Sequence, residues 1–235
     1  MDKSLQIFMI LAIGAAGVLF VFLMMPANSS PAYGKEHAHH ASGHAPKRSE
    51  VEKRLEIVSR DDWGARPPKN TSKMSHPVPY VIIHHSYIPE ACDTPEKCVA
   101  AMQSMQIMHQ DTNNWDDIGY NFAIGGDGRI YTGRGWSNCG AHAPSYNNVS
   151  IGICFIGDWT QDIPPPEMTG PAHDLIEFGV NEGYISAEYE MYGHRQVRDT
   201  ECPGDAFFDE ITTWPHWGAK PPRYVERTTT TTEIP

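Results

Sequence analysis

The run Val81-Ile82-Ile83-His84-His85 constrains this chain more than any other. Consecutive β-branched residues favour a strand buried on both faces. The reading is a strand over Val78–His85 that delivers His84 to a sheet edge. Around it the pattern alternates. Thr94–Asp111 is expected to be a helix, with Thr94 at its N-cap and Pro95 at the first helical position. Tyr120–Ile124 and Arg129–Gly133 flank Gly125-Gly126-Asp127-Gly128, a hairpin signal. Ser150–Ile156 and Tyr189–Tyr192 read as further strands, Gly170–Asn181 and Pro203–Thr213 as helices. Strands alternating with helices predict an α/β fold, a central mixed β-sheet flanked by helices, in a single domain over residues 55–220.

The two ends of the 235-residue chain do not share this pattern. Residues 7–25 are uninterruptedly apolar behind Lys3, which reads as a signal peptide or an uncleaved signal-anchor within residues 1–27. Either places the rest of the chain outside the cytoplasm, secreted or membrane-anchored, and confines membrane contact to that segment. Residues 28–54 read as a His- and Ser-rich linker, with four histidines between His37 and His44, and residues 221–235 as a Thr-rich disordered tail. A formal net charge of −11 argues against nucleic acid as a partner, because phosphate binding needs a basic face. An oxidising compartment permits disulfides and N-glycans. Cys92 and Cys98 bracket a short loop and are expected to pair; sequons stand at Asn28, Asn70 and Asn148. Cys139 and Cys154 pair with each other or are buried thiols, and spacing does not decide between these.

His84, His194 and Cys202 form a candidate metal set. Two imidazoles and one thiolate fill three tetrahedral positions around Zn2+ and leave the fourth for water, a hydrolytic rather than a structural layout. Spacing alone signals this weakly, since no CxxC or HExxH pair fixes the geometry. Cys202 by itself reads first as a disulfide half, and otherwise as a buried thiol. His85 should point to the opposite face of the strand and play a structural part.

The order of several motif blocks carries a resemblance. Trp63-Gly64-Ala65-Arg66-Pro67-Pro68, Ile82-Ile83-His84-His85-Ser86 and Asp117-Ile118-Gly119-Tyr120-Asn121-Phe122 come first. Gly133-Arg134-Gly135-Trp136, Gly140-Ala141-His142, Gly193-His194-Arg195 and Cys202-Pro203-Gly204 follow. In this order they resemble the peptidoglycan recognition proteins, from roughly Leu55 to Trp217. That family divides into zinc amidases and receptors that bind peptidoglycan without cutting it, and the receptors typically lack the cysteine ligand. The resemblance implies a groove for bacterial muramyl peptides and zinc on His84, His194 and Cys202. It also implies an N-acetylmuramoyl-L-alanine amidase that cleaves the lactyl–L-alanine amide, in bacterial killing or in damping immune signalling. A non-catalytic receptor is the alternative.

Tyr120 and Thr200 match amidase positions, where a hydroxyl would donate to the developing oxyanion; on its own Tyr120 reads first as a core aromatic with a satisfied hydroxyl. Relatives from phages carry lysine at the position of Thr200, which weakens its part. His109, Trp115, Arg134, Trp136, His142 and Asn148 are the substrate-binding candidates around the groove. Arg134 stands out because a guanidinium can pair bidentately with a carboxylate. In the family an arginine there goes with diaminopimelate-type stems, slightly favoured here, although Ser137-Asn138 does not settle the choice.

Overall fold

The structure, a computed structural model, describes residues 48–222. The apolar segment, the histidine cluster, the Asn28 sequon and the Thr-rich tail lie outside the described residues. Among the described residues no helix is long and apolar enough to cross a membrane.

Six strands form one mixed sheet in the order β1-β4-β3-β5-β2-β6. The strands are β1 (Ile57–Val58), β2 (Val78–His85), β3 (Phe122–Ile124), β4 (Ile130–Thr132), β5 (Ser150–Phe155) and β6 (Ile185–Gly193). Only the β3–β4 hairpin is antiparallel; β2 lies inside the sheet between parallel β5 and the parallel edge strand β6. The expected mixed sheet with flanking helices is what forms.

Period-two alternation sorts each strand between two environments. Val81, Ile83, Phe122, Ile124, Ile130, Ile151, Ile153 and Phe155 project to one face. There they are sealed by α3 (Pro166–Asn181), through Met168, Ala172, Leu175 and Ile176, and by α5 (Asp205–Ile211), through Phe207 and Ile211. On the other face Ala123, Tyr131 and Cys154 pack under α2 (Pro95–Ile107) with Cys98, Ala101, Met102 and Met105. Helix α2 covers only that half. Beyond it lie His84, in register with Cys154, and Gly152, in register with Ile82.

Several boundaries differ from expectation. Thr94 caps α2 as read, its Oγ1 accepting from the Lys97 N–H at 3.4 Å, but from Met108 to Thr112 the helix widens into a π-turn. Helix α3 begins at Pro166, because a proline at the first helical position loses no intrahelical bond. It then tolerates Pro171 inside. Strand β6 runs nine residues rather than four, and the closing helix is shorter than read. Helix α1 (Arg48–Arg54) falls inside the stretch assigned to the linker. Val51 is buried there, and Arg54 bridges to Asp174 and Glu177 of α3, contacts that composition does not reveal. Cys92 and Cys98 are bonded as expected; Cys139 and Cys154 are free and unpaired with each other.

Candidate metal centre and groove

The metal set assembles where β2 and β6 end side by side. Ile83 pairs with Gly193, so the next residues, His84 and His194, emerge together at the rim. Helix α4 (His194–Val197) starts there, and Gln196 Oε1 accepts from the Gly193 N–H at 2.9 Å to fix the corner. The following loop brings Cys202 back, with Arg195 N–H donating to Cys202 O at 2.8 Å. One ligand atom from each of His84, His194 and Cys202 lies within 4.8 Å of the others.

The donor set fits zinc. Cys202 Sγ is 3.8 Å from His84 Nδ1, against about 3.6 Å for sulfur and nitrogen sharing a tetrahedral zinc at ordinary bond lengths. His194 Nε2 is buried without a hydrogen-bond partner. Burial lowers both imidazoles, His84 well below 6.5 and His194 to about 4, so each offers a lone pair at neutral pH. Burial pushes the Cys202 thiol up to about 12, and the backbone N–H of His85, 3.3 Å from Sγ, opposes this. A divalent cation is what would hold that sulfur as thiolate.

Behind the ligands sits His142, its Nδ1 2.9 Å from His84 Nε2. If His84 presents a lone pair at Nδ1, its proton sits on Nε2 and is donated to His142 Nδ1. The partner proton of His142 then sits on Nε2, which is buried and unsatisfied. His142 was expected to touch substrate; it is largely buried, lines one wall of the groove, and would fix the orientation of His84 as a metal ligand, as outer partners of metal histidines do. Gly152 makes this possible, since a Cβ there would come within 2.5 Å of the His142 ring.

Tyr120 and Thr200 both line the site. The Tyr120 ring is 5.3 Å from that of His84, and burial, with Cys154 and Cys202 nearby, keeps its hydroxyl protonated. Thr200 Oγ1 accepts from the Cys202 N–H at 3.3 Å. Two lobes open from here. One, about 460 Å³, is walled by Trp115, Ala141, His142, Pro144, Asn147 and Arg198; the other, about 380 Å³, by Ser86, Tyr87, Thr160, Thr200 and Glu201. Tyr120 and His194 belong to both.

The remaining expectations divide. Trp115 is 37% exposed on the first lobe and stacks on His109 at 4.7 Å. His109 itself is buried, its Nδ1 accepting from the Gly119 N–H at 3.1 Å, so it supports the wall rather than forming it. Trp136 is not in the groove. The Gly133–Gly135 turn, with Gly135 at φ 65°, carries the chain over the sheet edge. Trp136 stacks there on Tyr184 at 4.8 Å and packs on Phe122, on the sealed face. Arg134 is anchored to the backbone. Its guanidinium donates to three backbone carbonyls, Ile118 at 2.7 Å, Cys139 at 3.0 Å and Asp117 at 3.4 Å, tying two loops together.

Asn148 is exposed and outside the groove, whereas Asn147 lines it and accepts from the N–H groups of His142 and Ala143, both at 2.8 Å. The signal for Asn147 was present: Asn side chains bond backbone a few residues away in tight loops. Arg198 and Tyr87 were also missed. His85 Nδ1 accepts from the Trp159 N–H at 3.3 Å, and the residue also lines the second lobe.

Comparison with known proteins agrees with this geometry. The family described as N-acetylmuramoyl-L-alanine amidase matches residues 74–205. Peptidoglycan-recognition protein LB of Drosophila melanogaster is 55% identical over 161 residues, 68% of this chain and 69% of that protein. A tyrosine-to-phenylalanine mutant of Drosophila PGRP-LB, solved in complex with tracheal cytotoxin, superposes with a TM-score of 0.69 at 54% identity, covering 70% of this chain and 98% of that one. Peptidoglycan recognition protein-LE, in complex with the same monomeric diaminopimelic acid-type peptidoglycan, gives 0.68 at 38% identity over 69% and 96%. With blocks, fold and these relatives in agreement, the chain belongs to the peptidoglycan-recognition protein family and carries its amidase-type domain.

Proposed function

We propose that this protein is a zinc-dependent N-acetylmuramoyl-L-alanine amidase that hydrolyses the amide between the lactyl group of N-acetylmuramic acid and L-alanine in bacterial peptidoglycan. The observation that carries the proposal is the complete donor set, His84, His194 and Cys202, gathered at the junction of two open lobes with Cys202 free of any disulfide. When bound, zinc supplies the Lewis acidity that attack on a poor electrophile requires.

The chain's own residues do the rest. His142 and the His85 N–H hold His84 and Cys202 in place. Tyr120 keeps its proton and can donate it in a hydrogen bond to the oxygen that becomes negative as the amide is attacked. Such a donor contributes about 3–4 kcal/mol to the transition state. Thr200 adds a second hydroxyl on the same wall, and the lobes hold the two halves of the substrate on either side of the scissile bond. The solved relatives named above hold a diaminopimelic acid-type fragment, which supports the same stem type here. A cell-wall substrate and the Cys92–Cys98 disulfide support a domain working outside the cytoplasm.

The test is incubation of purified protein with diaminopimelate-type muropeptides, with and without chelator, followed by mass spectrometry. Released stem peptides that vanish on chelation are expected. Cys202→Ser should lose zinc and lower hydrolysis by more than about 10³-fold while fragment binding persists. Intact substrate after incubation with the zinc-loaded protein would leave a receptor that grips the fragment without cutting it.

A further inference from the structure

The two lobes differ in charge and in aromatic character. The first presents the Arg198 guanidinium; the second presents the Glu201 carboxylate, and Asp158, half-exposed, lies 3.8 Å from the Nδ1 of His85 on the same lobe's wall. A muramyl peptide is itself divided at its scissile amide. The stem carries several carboxylates, while the acyl side is an uncharged sugar strand. Like charges repel across a groove wall, so the stem belongs with Arg198 and the sugar with the second lobe.

The second lobe contains one feature that the hydrolytic chemistry does not use. Tyr87 is 57% exposed on its rim, with φ at 60°, a backbone conformation that residues with side chains rarely adopt. It is nevertheless firmly held. The Tyr87 N–H donates to Gly157 O at 2.9 Å, and the Ser86 N–H donates to Phe155 O at 3.0 Å. Ser86 Oγ donates to Pro89 O and accepts from the Gly157 N–H, both at 2.8 Å. The ring sits 5.9 Å from that of His85, which is buried under it. A rigid, exposed aromatic plane costs water contact and backbone freedom, and such a plane suits a flat apolar partner. Pyranose rings present an apolar face of axial C–H groups, and an aromatic plane at low entropic cost is well matched to it.

We infer that Tyr87 is a sugar-binding platform on the acyl side of the scissile amide, stacking on an uncharged pyranose of the glycan strand. This rests on the muramyl-peptide reading of the groove, but not on hydrolysis. The zinc-loaded full chain is titrated with two probes that lack the lactyl amide: chitotetraose and the free diaminopimelate-type stem tetrapeptide. Tyr87→Ala should weaken chitotetraose binding about tenfold, equivalent to about 1.4 kcal/mol, and leave the stem peptide within about twofold. Tyr87→Trp should restore the sugar affinity, which a variant that merely disturbed the loop would not do. Equal losses on both probes, an unchanged affinity for chitotetraose, or no binding of chitotetraose by the native chain would overturn the assignment. A chain that binds both probes as expected but releases no stem peptide from muropeptides would instead overturn only the amidase reading.

Discussion

The two faces of the sheet are written by the same strands and have opposite purposes. Ile83 and His84 are consecutive, as are Ile153 and Cys154, yet one of each pair is sealed under α3 and α5 while the other looks toward the metal centre or its flank. The sealed face is uniform and aliphatic. The other is half covered by α2 and ends in a polar rim with glycine, histidine and thiol side by side. A single shift in register would exchange the two sets, which is why this strand tolerates so little ambiguity. Chemistry here occupies alternate positions in the same framework that the core provides.

That contrast can be broken by substitution on either side. Phe155→Ala on the sealed face empties a site packed against Phe207 and Trp214, and should destabilise the fold by about 3–5 kcal/mol in chemical denaturation. The folded fraction should still bind zinc normally. Tyr120→Phe on the open side should do the reverse: melting and metal content unchanged, with kcat reduced by about 10²–10³-fold. An unchanged rate would remove Tyr120 from the reaction.

A finer distinction lies behind the ligands. His142→Ala should weaken zinc binding, measured by chelator competition, by about 10–100-fold, and His142→Asn should recover part of it by restoring an acceptor near Nδ1. If His142 met substrate alone, metal affinity would not move. The smallest effect is acid sensitivity. Burial lowers His85 and His109 to about 4, below the ordinary imidazole value of 6.5. On acidification the unfolded chain takes up these protons first, so chelated protein should lose stability from about pH 6.5 down to about pH 4. The loss should be on the order of 1 kcal/mol per pH unit for each imidazole. Denaturation curves at pH 7 and pH 5 would show it, and a flat response would mean these rings are solvated.

Much of this was legible in the chain. The run Val81-Ile82-Ile83 can be little other than a strand buried on both faces, and the ordered motif blocks pointed to the family and to the three candidate donors that the fold gathers. What escaped was whatever depends on where a turn sends the chain. Trp136 follows Arg134 by two residues, but Gly135 redirects it to the other side of the sheet. Asn147 and Asn148 are indistinguishable by type, and only the loop's folding back onto the N–H groups of His142 and Ala143 separates them. Helix α1 is polar apart from Val51 and is held by contacts with α3, 120 residues away. Arg134 has the right chemistry for a carboxylate, and in addition three backbone carbonyls engage three of its five N–H donors, which residue type alone does not reveal. Residue type gives capability; only the backbone path gives address.

His84 and Cys202 are 118 residues apart along the chain. An ion gripping both would therefore act as a cross-link, closing a loop of half the polypeptide, and ties of that span restrict an unfolded chain by about 4–5 kcal/mol in the simplest entropic account. Starvation for the ion would then carry a double penalty, stopping the proposed hydrolysis and loosening the stitch that joins its second strand to its closing segment.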